Sequence, residues 1–490
     1  MKKEKVQLVW FKRDLRAEDH APLSEACTRG KVLCCYIYEP SLIQSPEWDG
    51  SHGSFLNESL QELEANLKRL DIRLYRFQGE VIEVLNKLRE VVEIEALWSH
   101  EETGNGLTYE RDKRVKKWCL EQGIPWQKFP QFGVVRRLSS REGWARQWNA
   151  FMSQPAVFLP RQIKSFSNSL SFETSPYVFP QDTKSYRKKG GIKNATETLE
   201  SFLQERGRFY SKEMSSPNTA WESCSRLSPY LSFGNISIRQ VWQAVELQRV
   251  EGFTESGWRG SLAAFSSRLR WHCHFIQKLE DEPAIEFENM NRKMDGLREN
   301  EFNETFFAAW TRGETGYPLV DACMRSLQKT GWINFRMRAM LVSFSSYHLW
   351  LHWRRPAVFL AKHFLDFEPG IHYSQFQMQS GTTGINSIRI YSPLKQVTDQ
   401  DPEGLFIKHW IPELEAVPTD YIAEPQKMPV SLQKKIGCMI GKDYPAPIVE
   451  HATAYAEAKK RVYAWKAKKE VREASKEVFK KHGSRKRRAT

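Results

Sequence analysis

The chain has 490 residues, more than one hydrophobic core ordinarily holds, so we expect at least two domains. Its eight cysteines form no Cys-x-x-Cys pair, which argues against a zinc ribbon or a disulfide scaffold and favours a reducing compartment. No apolar run approaches the length of a membrane span, and the N-terminus lacks a signal-peptide pattern. We therefore expect an intracellular protein without a membrane partner.

Positive charge is concentrated at the C-terminus. Residues 459–490 contain 14 Lys and Arg against three acidic residues, so they carry +11 of the formal net charge of +14. This segment is expected to attract a polyanion, whereas the rest of the chain is close to neutral. A solvated helix that closes the last domain is the alternative interpretation up to about Gly483, and the residues beyond it are expected to be mobile.

The first part of the chain has the pattern of an α/β domain. Apolar runs at 6–11 and 32–38 are typical of buried parallel strands. Further strands are expected at 72–77, 95–99 and 126–129, and helices at 54–70, 81–91 and 108–121, with Ser54 as a capping residue. The alternation predicts a doubly wound parallel sheet, and the lack of a Gly-x-Gly-x-x-Gly turn excludes the usual dinucleotide site.

Helical patterns dominate after a turn-rich stretch. The predicted organisation is an α/β domain at 1–132, a connector at 133–189, an all-α domain at 190–465 and a basic tail at 466–490. Helices are expected at 194–205, 242–250, 258–279 and 302–310. A loop that starts at Trp310 leads into a helix with Val320, Met324 and Leu327 on one face, and a long apolar helix is expected to reach about Trp353.

Several motifs resemble the DNA photolyase and cryptochrome family, and together they cover nearly the whole chain. The run Trp10-Phe11-Lys12-Arg13-Asp14-Leu15-Arg16 resembles the family's opening signature, and the order of the pieces from 310 to 396 is that of its flavin-binding half. The resemblance implies an antenna-like first domain and a helical second domain that binds FAD non-covalently. The first domain can hold a second antenna chromophore, folate or deazaflavin in type but of unknown identity, and an empty cleft is the alternative.

A turn in the helical domain resembles the family's FAD phosphate-binding turn. It comprises Cys224, Ser225, Arg226, Leu227 and Ser228, with Pro229 next in the chain and Tyr210 upstream. Ser before Pro is a helix-start signal, and a helix N-terminus beside an Arg suits a diphosphate. The family usually has Thr or Gly at the position of Cys224, and an ordinary capped helix is the alternative interpretation.

Four residues are expected beside the flavin ring. Arg338 and Asp366 match the family's buried Arg and Asp pair, and Glu368 stands where the family commonly has Asp. A surface ion pair is the alternative. His372 falls where the family places the side chain that faces flavin N5, and its usual pKa of ~6.5 predicts proton exchange there.

The substrate face departs from the photolyase pattern. Trp271 matches a Trp that stacks beside a flipped pyrimidine dimer, but Arg268 replaces the Glu three residues earlier that accepts hydrogen bonds from the dimer. Phe335 and Arg336 lie in a turn that usually reads His-Asn-Arg or His-His. Losing a charged acceptor forgoes ~1.5–3 kcal/mol of binding, so we expect poor repair of standard dimers.

The photoreduction chain departs as well. Trp353 matches the middle Trp of the family's triad, but the flavin-proximal position is Phe376 and the outer one falls near Asn300. Because Phe is a poor electron donor, a path through Tyr373 or Trp350 is expected. No metal site is predicted, since the His272-Cys273-His274 run directs its side chains to different sides of a helix.

The resemblance implies a blue-light-activated flavoprotein that binds DNA and acts by photoinduced electron transfer, as a cryptochrome-like photoreceptor or an atypical photolyase. The alternative is a deoxyribodipyrimidine photo-lyase that repairs UV-induced dimers with reduced FAD. A third interpretation is a non-catalytic DNA-binding protein that uses the tail. Expected partners are damaged or single-stranded DNA and an unknown signalling protein, in the cytoplasm or nucleoid, or in the nucleus of a eukaryotic host.

Overall fold

A computed structural model describes residues 3–251 and 255–483. Its N-terminal part is built on a five-stranded parallel sheet with strand order β3-β2-β1-β4-β5. The strands are β1 Glu4–Phe11, β2 Val32–Tyr38, β3 Leu74–Gln78, β4 Val92–His100 and β5 Trp126–Phe129. The order reverses at β1, because β2 and β4 pair on its two sides, and this is the doubly wound topology that the sequence predicts.

Successive residues of β1 enter two different cores. Leu8 and Trp10 pack with one set of helices, whereas Val9 and Phe11 face a second core on the other side of the sheet. The surrounding helices are α1 Ala21–Arg29, α2 Pro40–Ile43, α3 Gly50–Lys68, α4 Val81–Val91 and α5 Gly106–Glu121, and α6 Trp144–Met152 lies in the connector. Burial on both faces explains why β1 and β2 read as continuous apolar runs.

Helix α3 begins earlier than its apolar stripe indicated. Asp49 caps it by accepting a hydrogen bond from the Ser51 amide at 2.8 Å, and the His52 Nδ1 accepts from the Asp49 amide at 3.1 Å in a reciprocal capping box. The prediction of Ser54 as the cap is therefore wrong. Histidine at the third helical position is an unusual member of such a box, which is why the true start was missed.

The core on one face of the sheet continues into the helical domain. The Phe55 ring of α3 lies 5.6 Å from Tyr230 and 4.8 Å from Phe233, and the Leu15 amide donates to the Phe233 carbonyl at 3.2 Å. A Cβ at Gly234 would stand 2.3 Å from the Arg13 carbonyl oxygen, and its φ is +71°, so glycine permits this close approach of the two domains.

The second domain is all-α among its described residues. Its helices are α7 Ile192–Gln204, α8 Tyr210–Glu213, α9 Ala220–Ser223, α10 Ser228–Ser232, α11 Ile238–Glu251, α12 Trp258–Asp281, α13 Glu304–Arg312, α14 Pro318–Thr330, α15 Phe335–Ser343, α16 Arg354–His363, α17 Pro369–Ser380, α18 Pro393–Gln400, α19 Leu405–Trp410, α20 Val430–Ile436, α21 His451–Ala467 and α22 Lys469–His482. Within residues 3–251 and 255–483, no helix has the length and hydropathy of a membrane span.

The long helix predicted up to Trp353 is interrupted. Helix α15 ends at Ser343 and passes into a single π-type turn at Phe344–His348, after which Trp350 adopts a positive φ of 52°. Trp353 instead precedes α16 as its N-cap residue. The apolar composition continues through the break because both segments are buried, so composition could not reveal where the helix stops.

The described part of the basic C-terminal segment is helical. Val471 of α22 is 1% exposed, and Lys481 and His482 both donate to the Glu282 Oε2 at 2.7 Å. The helix is thereby held against the domain. The basic cluster at 485–488, for which mobility was predicted, lies outside the described residues.

Candidate functional site

The Arg338 and Asp366 pair forms as the sequence predicts. Arg338 of α15 donates from both terminal nitrogens to the two carboxylate oxygens of Asp366, at 3.0 and 2.8 Å. Burial of Asp366 would raise its pKa, but the Arg338 charge and hydrogen bonds from Arg338 and Ser228 outweigh burial and lower the pKa. The Arg338 Nε also donates to the Ile333 carbonyl at 2.8 Å, so the guanidinium is fixed in orientation.

The predicted phosphate turn lies next to this pair but lacks the expected capping. The N-cap of α10 is Leu227 rather than Ser228, with no side-chain hydrogen bond, and the helix has five residues. The sequence predicted that Ser228 caps a helix whose N-terminus binds a diphosphate. The capping part of this prediction is wrong. Ser228 instead interacts with Asp366, which joins the turn to the ion pair.

Arg226 of this turn is held by aromatic rings. Its guanidinium carbon lies 3.6 Å from the centroid of Trp221 and 4.0 Å from that of Trp332, and the residue has a positive φ of 59°. Burial lowers the pKa of Arg226 to about 10, so it remains cationic at neutral pH. The two rings are inclined at 77° with centroids 5.8 Å apart, so they cover the guanidinium from two adjoining sides and do not sandwich it. The cation is thereby fixed in place beside the turn, where it could meet an anion.

Tyr210, Cys224 and Arg268 form a second part of the same neighbourhood. Burial raises the pKa of Tyr210 to about 12, and a hydrogen bond with Arg268 opposes that rise. Burial also raises the pKa of Cys224 to about 12, against the charges of Arg226, Arg206 and Arg338. Cys224 is thus a neutral thiol, and Arg268 lies beside a residue of the predicted cofactor site.

Glu368 is a buried carboxyl near the pair, and its pKa is strongly raised. Burial raises its pKa to about 7, and the Arg13 charge offsets this only in part. Arg13 also donates to the Phe367 carbonyl at 3.2 Å, so the opening motif of the first domain contacts the 366–368 loop directly. This carboxyl therefore holds its proton to a much higher pH than an exposed glutamate does.

His372 does not behave as its usual pKa predicts. Burial lowers its pKa to about 4, and its Nε2 donates to the Ala357 carbonyl at 2.8 Å. The ring is therefore neutral at pH 7 with its one proton committed to α16. The lowered pKa does not favour the proton exchange near neutral pH that the usual pKa of histidine predicts, and the Nδ1 atom is left as a hydrogen-bond acceptor.

An aromatic series runs from His372 toward Trp353. The Tyr373 ring centroid lies 5.4 Å from that of His372 and 6.4 Å from that of Trp353, whose Nε1 donates to the Asn289 Oδ1 at 2.7 Å. The Tyr373 hydroxyl donates to the Glu47 Oε1 at 2.7 Å, across the domain interface. Burial raises the pKa of Tyr373, so its proton stays on the ring in the resting protein.

The residues predicted for the substrate face are accessible. Trp271 of α12 is 38% exposed and stacks on Phe275 with centroids 5.6 Å apart, and Phe335 at the start of α15 is 49% exposed. Arg336 follows it and has a buried Nε without a partner among the described atoms. These side chains sit on separate helices and offer ring faces and a cation to solvent.

The neighbourhood fits a bound flavin. The charges of Arg338 and Asp366 compensate each other there. The Asn334 amide nitrogen donates to the Met214 and Ser215 carbonyls, but the buried Asn334 Oδ1 has no partner among the described atoms. A polar heterocycle with its own donors and acceptors would complete such a site.

A cavity lies between the two domains, and the sequence did not reveal its position. Its empty volume is about 870 Å³, including the mouth, and its lining combines Trp10 and Tyr36 of the sheet with Phe233, Phe367 and Pro369 of the helical domain. Phe367 is the residue between Asp366 and Glu368. The cavity therefore ends against the loop that carries the predicted flavin residues.

Buried charges line one wall of this cavity. Arg111 donates to Glu39 at 2.9 Å and also binds Glu102 and Asp112, and its guanidinium lies 4.8 Å from the Trp10 ring. The Lys12 Nζ and the Glu39 Oε2 are buried without hydrogen-bond partners among the described atoms. A polar ligand could satisfy both.

A buried Asp–His cluster beside the opening motif was also missed. The Asp14 Oδ2 accepts from the His20 Nε2 at 3.0 Å and from the His100 Nδ1 at 2.7 Å. These three residues could in principle hold a metal ion. The Leu23 amide donates to the His20 Nδ1, which places the proton of that ring on Nε2. The 3.0 Å contact between the His20 Nε2 and the Asp14 Oδ2 is therefore explained by an ordinary hydrogen bond without a metal ion.

Comparison with known proteins assigns both halves of the molecule. Residues 7–137 match the family model of DNA photolyase, and residues 265–464 match the model of the FAD-binding domain of DNA photolyase. The chain belongs to the DNA photolyase and cryptochrome family. Its helical domain is accordingly an FAD-binding domain, as the resemblance implied.

Individual relatives include both branches of this photolyase and cryptochrome family. The chain is 26% identical to a deoxyribodipyrimidine photo-lyase of Alkalihalophilus pseudofirmus, over 92% of this chain and 96% of that one. It is 27% identical to cryptochrome-2 of Arabidopsis thaliana, over 93% of this chain and 78% of that one. A crystal structure of the archaeal photolyase from Sulfolobus tokodaii, which holds two FAD molecules, matches with a TM-score of 0.77 and 25% identity, over 94% of this chain and the whole of that one.

Proposed function

We propose that this family member is a blue-light-activated flavoprotein that acts by photoinduced electron transfer on or near DNA. The observation that carries the proposal is the ion pair in which the partly buried Arg338 donates two hydrogen bonds to the buried Asp366. Ser228 joins this pair to the 224–228 turn. Residues predicted from distant parts of the chain contribute to this one neighbourhood, which a surface ion pair would not require.

Each side chain of the site has a separate role in the proposal. Bound FAD supplies light absorption and one-electron chemistry. Arg338 and Asp366 hold the ring, Arg226 meets the diphosphate, and the neutral His372 accepts a hydrogen bond at Nδ1 rather than releasing a proton. Glu368, with its pKa near 7, is the group of the site best suited to gain or lose a proton at neutral pH.

The substrate face favours a photoreceptor or an atypical photolyase over standard dimer repair. Arg268 lies beside Tyr210 in place of an acceptor carboxylate, and the half-exposed Phe335 offers a ring face but no hydrogen bond. A flipped base would find stacking surfaces here but few polar partners for its edge. The second candidate function, dimer repair with reduced FAD, is favoured by the exposed ring of Trp271.

The interdomain cavity is proposed to hold a second chromophore. Support comes from the ring faces of Trp10, Tyr36 and Phe367 and from the archaeal relative with two FAD molecules. The Lys12 Nζ and Glu39 Oε2 atoms add to it, because both lack a hydrogen bond among the described atoms, although Lys12 also forms ion pairs with Glu102 and Asp112. A flat ligand with polar substituents would use both features. Its position against the 366–368 loop would place it close to the flavin site.

Purified protein assayed on defined dimer-containing single- and double-stranded DNA, with and without blue light, tests this function. Wild type is expected to split cyclobutane dimers poorly, and Arg268→Glu combined with Phe335→Asn is expected to raise dimer binding at least tenfold. Arg270→Glu, a charge reversal at an exposed neighbour on the same helix, is the matched control. Efficient light-dependent splitting by wild type would show that the second candidate function is correct.

A further inference from the structure

A buried tyrosine, a carboxylate and a guanidinium meet where helix α17 touches the first domain. The Tyr373 hydroxyl donates to the Glu47 Oε1 at 2.7 Å and accepts from the Arg354 Nη1 at 3.2 Å. The Arg354 Nη2 lies 4.0 Å from the same Glu47 oxygen. Tyr373 is fully buried, and the Glu47 side chain is only 5% exposed. The phenolic oxygen is therefore held between one donor and one acceptor, away from bulk water.

The three residues belong to different parts of the fold. Tyr373 lies on α17, Arg354 is the first residue of α16, and Glu47 lies in the segment of the first domain between α2 and α3. Glu47 also lines the interdomain cavity. The hydrogen bond between Tyr373 and Glu47 is therefore a contact between the two domains, and a proton that moves along it passes from one domain to the other.

Trp353 lies beside this group and directly precedes Arg354 in the chain. Its ring centroid is 6.4 Å from that of Tyr373, and the residue is 1% exposed. The Trp353 Nε1 donates to the Asn289 Oδ1 at 2.7 Å, and an amide oxygen accepts a hydrogen bond without taking up the proton. An oxidised Trp353 would thus stay a buried cation, which is unfavourable in an apolar setting.

Tyr373 differs from Trp353 because its hydroxyl points at a base. A group that removes a proton must lie about 2.6–3.2 Å from the atom that carries it, and the 2.7 Å contact to Glu47 meets this condition. Burial and the Glu47 charge raise the pKa of Tyr373, so the phenol keeps its proton while the ring is reduced. Removal of one electron makes a phenol strongly acidic, and Glu47 is then in place to take the proton.

We propose that Tyr373, Glu47 and Arg354 form a redox-active tyrosine centre in which oxidised Trp353 takes one electron from the Tyr373 ring while the phenolic proton crosses the domain interface to Glu47. The inference rests on the proposed function, because light-driven electron transfer supplies the oxidised Trp353.

The step is balanced in charge and in atoms. The O–H bond of Tyr373 breaks and an O–H bond forms on Glu47, which leaves a neutral tyrosyl radical, a neutral carboxylic acid and a reduced Trp353. The cation at Trp353 and the anion at Glu47 disappear together, which favours the step in a buried site. An external thiolate afterwards returns an electron to the radical, and Glu47 returns the proton.

Arg354 acts as a positioning residue in this centre. Its hydrogen bond holds the phenolic oxygen so that the hydroxyl hydrogen is directed to Glu47, and its charge lies close to that carboxylate before oxidation. The guanidinium carbon is 5.0 Å from the centroid of the Tyr373 ring and so opposes a positive charge on the ring. The electron and the proton therefore leave together, and the product is a neutral radical.

Glu286 provides a matched control for Glu47. Burial raises the pKa of Glu286 to about 7, and the charge of Glu47 raises it further, so the two buried carboxyls are neighbours. The Glu286 Oε2 accepts from the Gly106 amide at 2.6 Å, whereas the Tyr373 hydroxyl donates to Glu47. Glutamine at either position removes one carboxyl, but only the change at Glu47 removes the proton acceptor.

Infrared difference spectroscopy of the FAD-containing protein under blue light tests the proton transfer. Wild type is expected to gain a carboxylic-acid C=O band, which Glu47→Gln should abolish and Glu286→Gln should leave in place. Glu47→Asp keeps a carboxyl and should shift the frequency of the band. Persistence of the unshifted band in the Gln or Asp variant of Glu47 would assign the proton to another group and overturn the centre.

Electron paramagnetic resonance of the same samples tests the radical. Wild type should form a neutral tyrosyl radical more slowly in heavy water than in light water, Tyr373→Phe should lose the signal, and Glu47→Gln should slow its formation at least about tenfold. Arg354→Met should lower the radical yield, and Arg354→Lys, which keeps a charged donor, should restore it. A radical that forms at the wild-type rate in Glu47→Gln would overturn the centre. Flavin absorbance and thermal unfolding identify a misfolded variant, and Glu47→Asp still identifies the acceptor if Glu47→Gln misfolds.

Pulse radiolysis with azide radicals separates this inference from the proposed function, because it oxidises tryptophan side chains in the dark. The FAD-containing protein is expected to form a tyrosyl radical that depends on Tyr373 and on Glu47. If this radical formed but blue light reduced no flavin, the centre would stand and the proposed function would fall. If blue light reduced the flavin at a rate indifferent to both residues, the function would stand and the centre would be wrong.

Discussion

At the scale of single residues, the site depends on a few buried charges whose protonation is set by burial and by one partner each. Asp366 stays ionised because Arg338 compensates for its burial, whereas Glu368, two residues on, has only partial compensation from Arg13. Two carboxyls in one loop thus differ in charge state at neutral pH. The sequence shows both residues but cannot show this difference, because Arg13 belongs to the other domain.

Asp366→Asn should weaken FAD binding. The change removes the charge opposite Arg338 and leaves a cation partly buried without a counter-ion. Since Arg338 retains some exposure, we expect a loss of about 1.4 kcal/mol or more, a tenfold rise in Kd for FAD measured by fluorescence titration. Glu304→Gln, which breaks the exposed pair with Arg355, is the control and should leave the Kd unchanged. Equal effects of the two substitutions would contradict a flavin role for the pair.

Glu368→Gln should raise the melting temperature at pH 8 more than at pH 5. Burial raises the folded-state pKa of Glu368 to about 7, so the folded protein binds this proton more tightly than the unfolded chain does. The contribution of this group to the free energy of unfolding is therefore complete below the unfolded-state pKa of 4.5 and is lost as the pH rises through the folded-state pKa of about 7. Between pH 5 and pH 8 the loss is on the order of 2 kcal/mol. Thermal unfolding at matched FAD content measures it, with the exposed Glu200→Gln as control. A shift of equal size at both pH values would argue against a raised pKa.

At the scale of elements, helix α17 organises the predicted electron path. It carries His372, Tyr373 and Phe376, and Tyr373 is the residue whose ring approaches Trp353 at 6.4 Å. The hydrogen bond from the Tyr373 hydroxyl to Glu47 provides an acceptor for the phenolic proton when the ring loses an electron. Guanidinium groups lie near both candidate rings, that of Arg354 at 5.0 Å from Tyr373 and those of Arg298 and Arg461 at 4.5 and 4.0 Å from Trp350. Tyr373 is favoured over Trp350 by its approach to Trp353 and by its carboxylate acceptor Glu47.

Tyr373→Phe should slow the light-driven reduction of bound FAD at least tenfold. Phenylalanine keeps the packing but cannot release a proton to Glu47, so oxidation of the ring becomes harder. The measurement is the rate at which oxidised-flavin absorbance falls under blue light with an external thiol as reductant. Tyr75→Phe, a buried tyrosine of β3 remote from this path, is the control. An unchanged rate in Tyr373→Phe together with a large loss in Trp350→Phe would place the path elsewhere.

Most elements could be predicted from periodicity, but their ends and partners could not. Helix α4 and strands β2 and β5 coincide with their predicted bounds, because each is a short run with a clear pattern. Ser54, Ser228 and Trp353 were placed wrongly because caps and breaks depend on backbone geometry. The Glu47 contact joins residues 326 positions apart, and no local pattern encodes such a pairing.

At the scale of the whole molecule, function depends on how the two domains meet. Arg13 reaches the Phe367 carbonyl, Glu47 reaches Tyr373, and the cavity between the domains ends at the loop beside the predicted flavin site. The resemblance of the opening motif and of the 310–396 segment predicted both domains. The interdomain cavity had no counterpart in the motifs, since its lining residues are scattered along the chain.

Removal of 483–490 should lower the affinity for duplex DNA and flatten its salt dependence. This segment includes four cations at 485–488, and each phosphate that the protein no longer neutralises should reduce the slope by about 0.9. Helix α22 remains anchored through Lys481 and His482, so the flavin spectrum should not change. A full-length variant with glutamine at 485–488 removes the same four charges without shortening the chain, and it serves as the control. If neither variant altered affinity or slope, the segment would have a different partner.

The cofactor content of the purified protein tests the flavin site most directly. Denaturation followed by chromatography and mass determination of the released pigment measures it. We predict a yellow protein that releases close to one intact FAD per chain without covalent attachment, and that takes FAD up again after removal. A colourless protein that cannot be reconstituted with FAD would contradict the assignment of the Arg338 and Asp366 site and every proposal built on it.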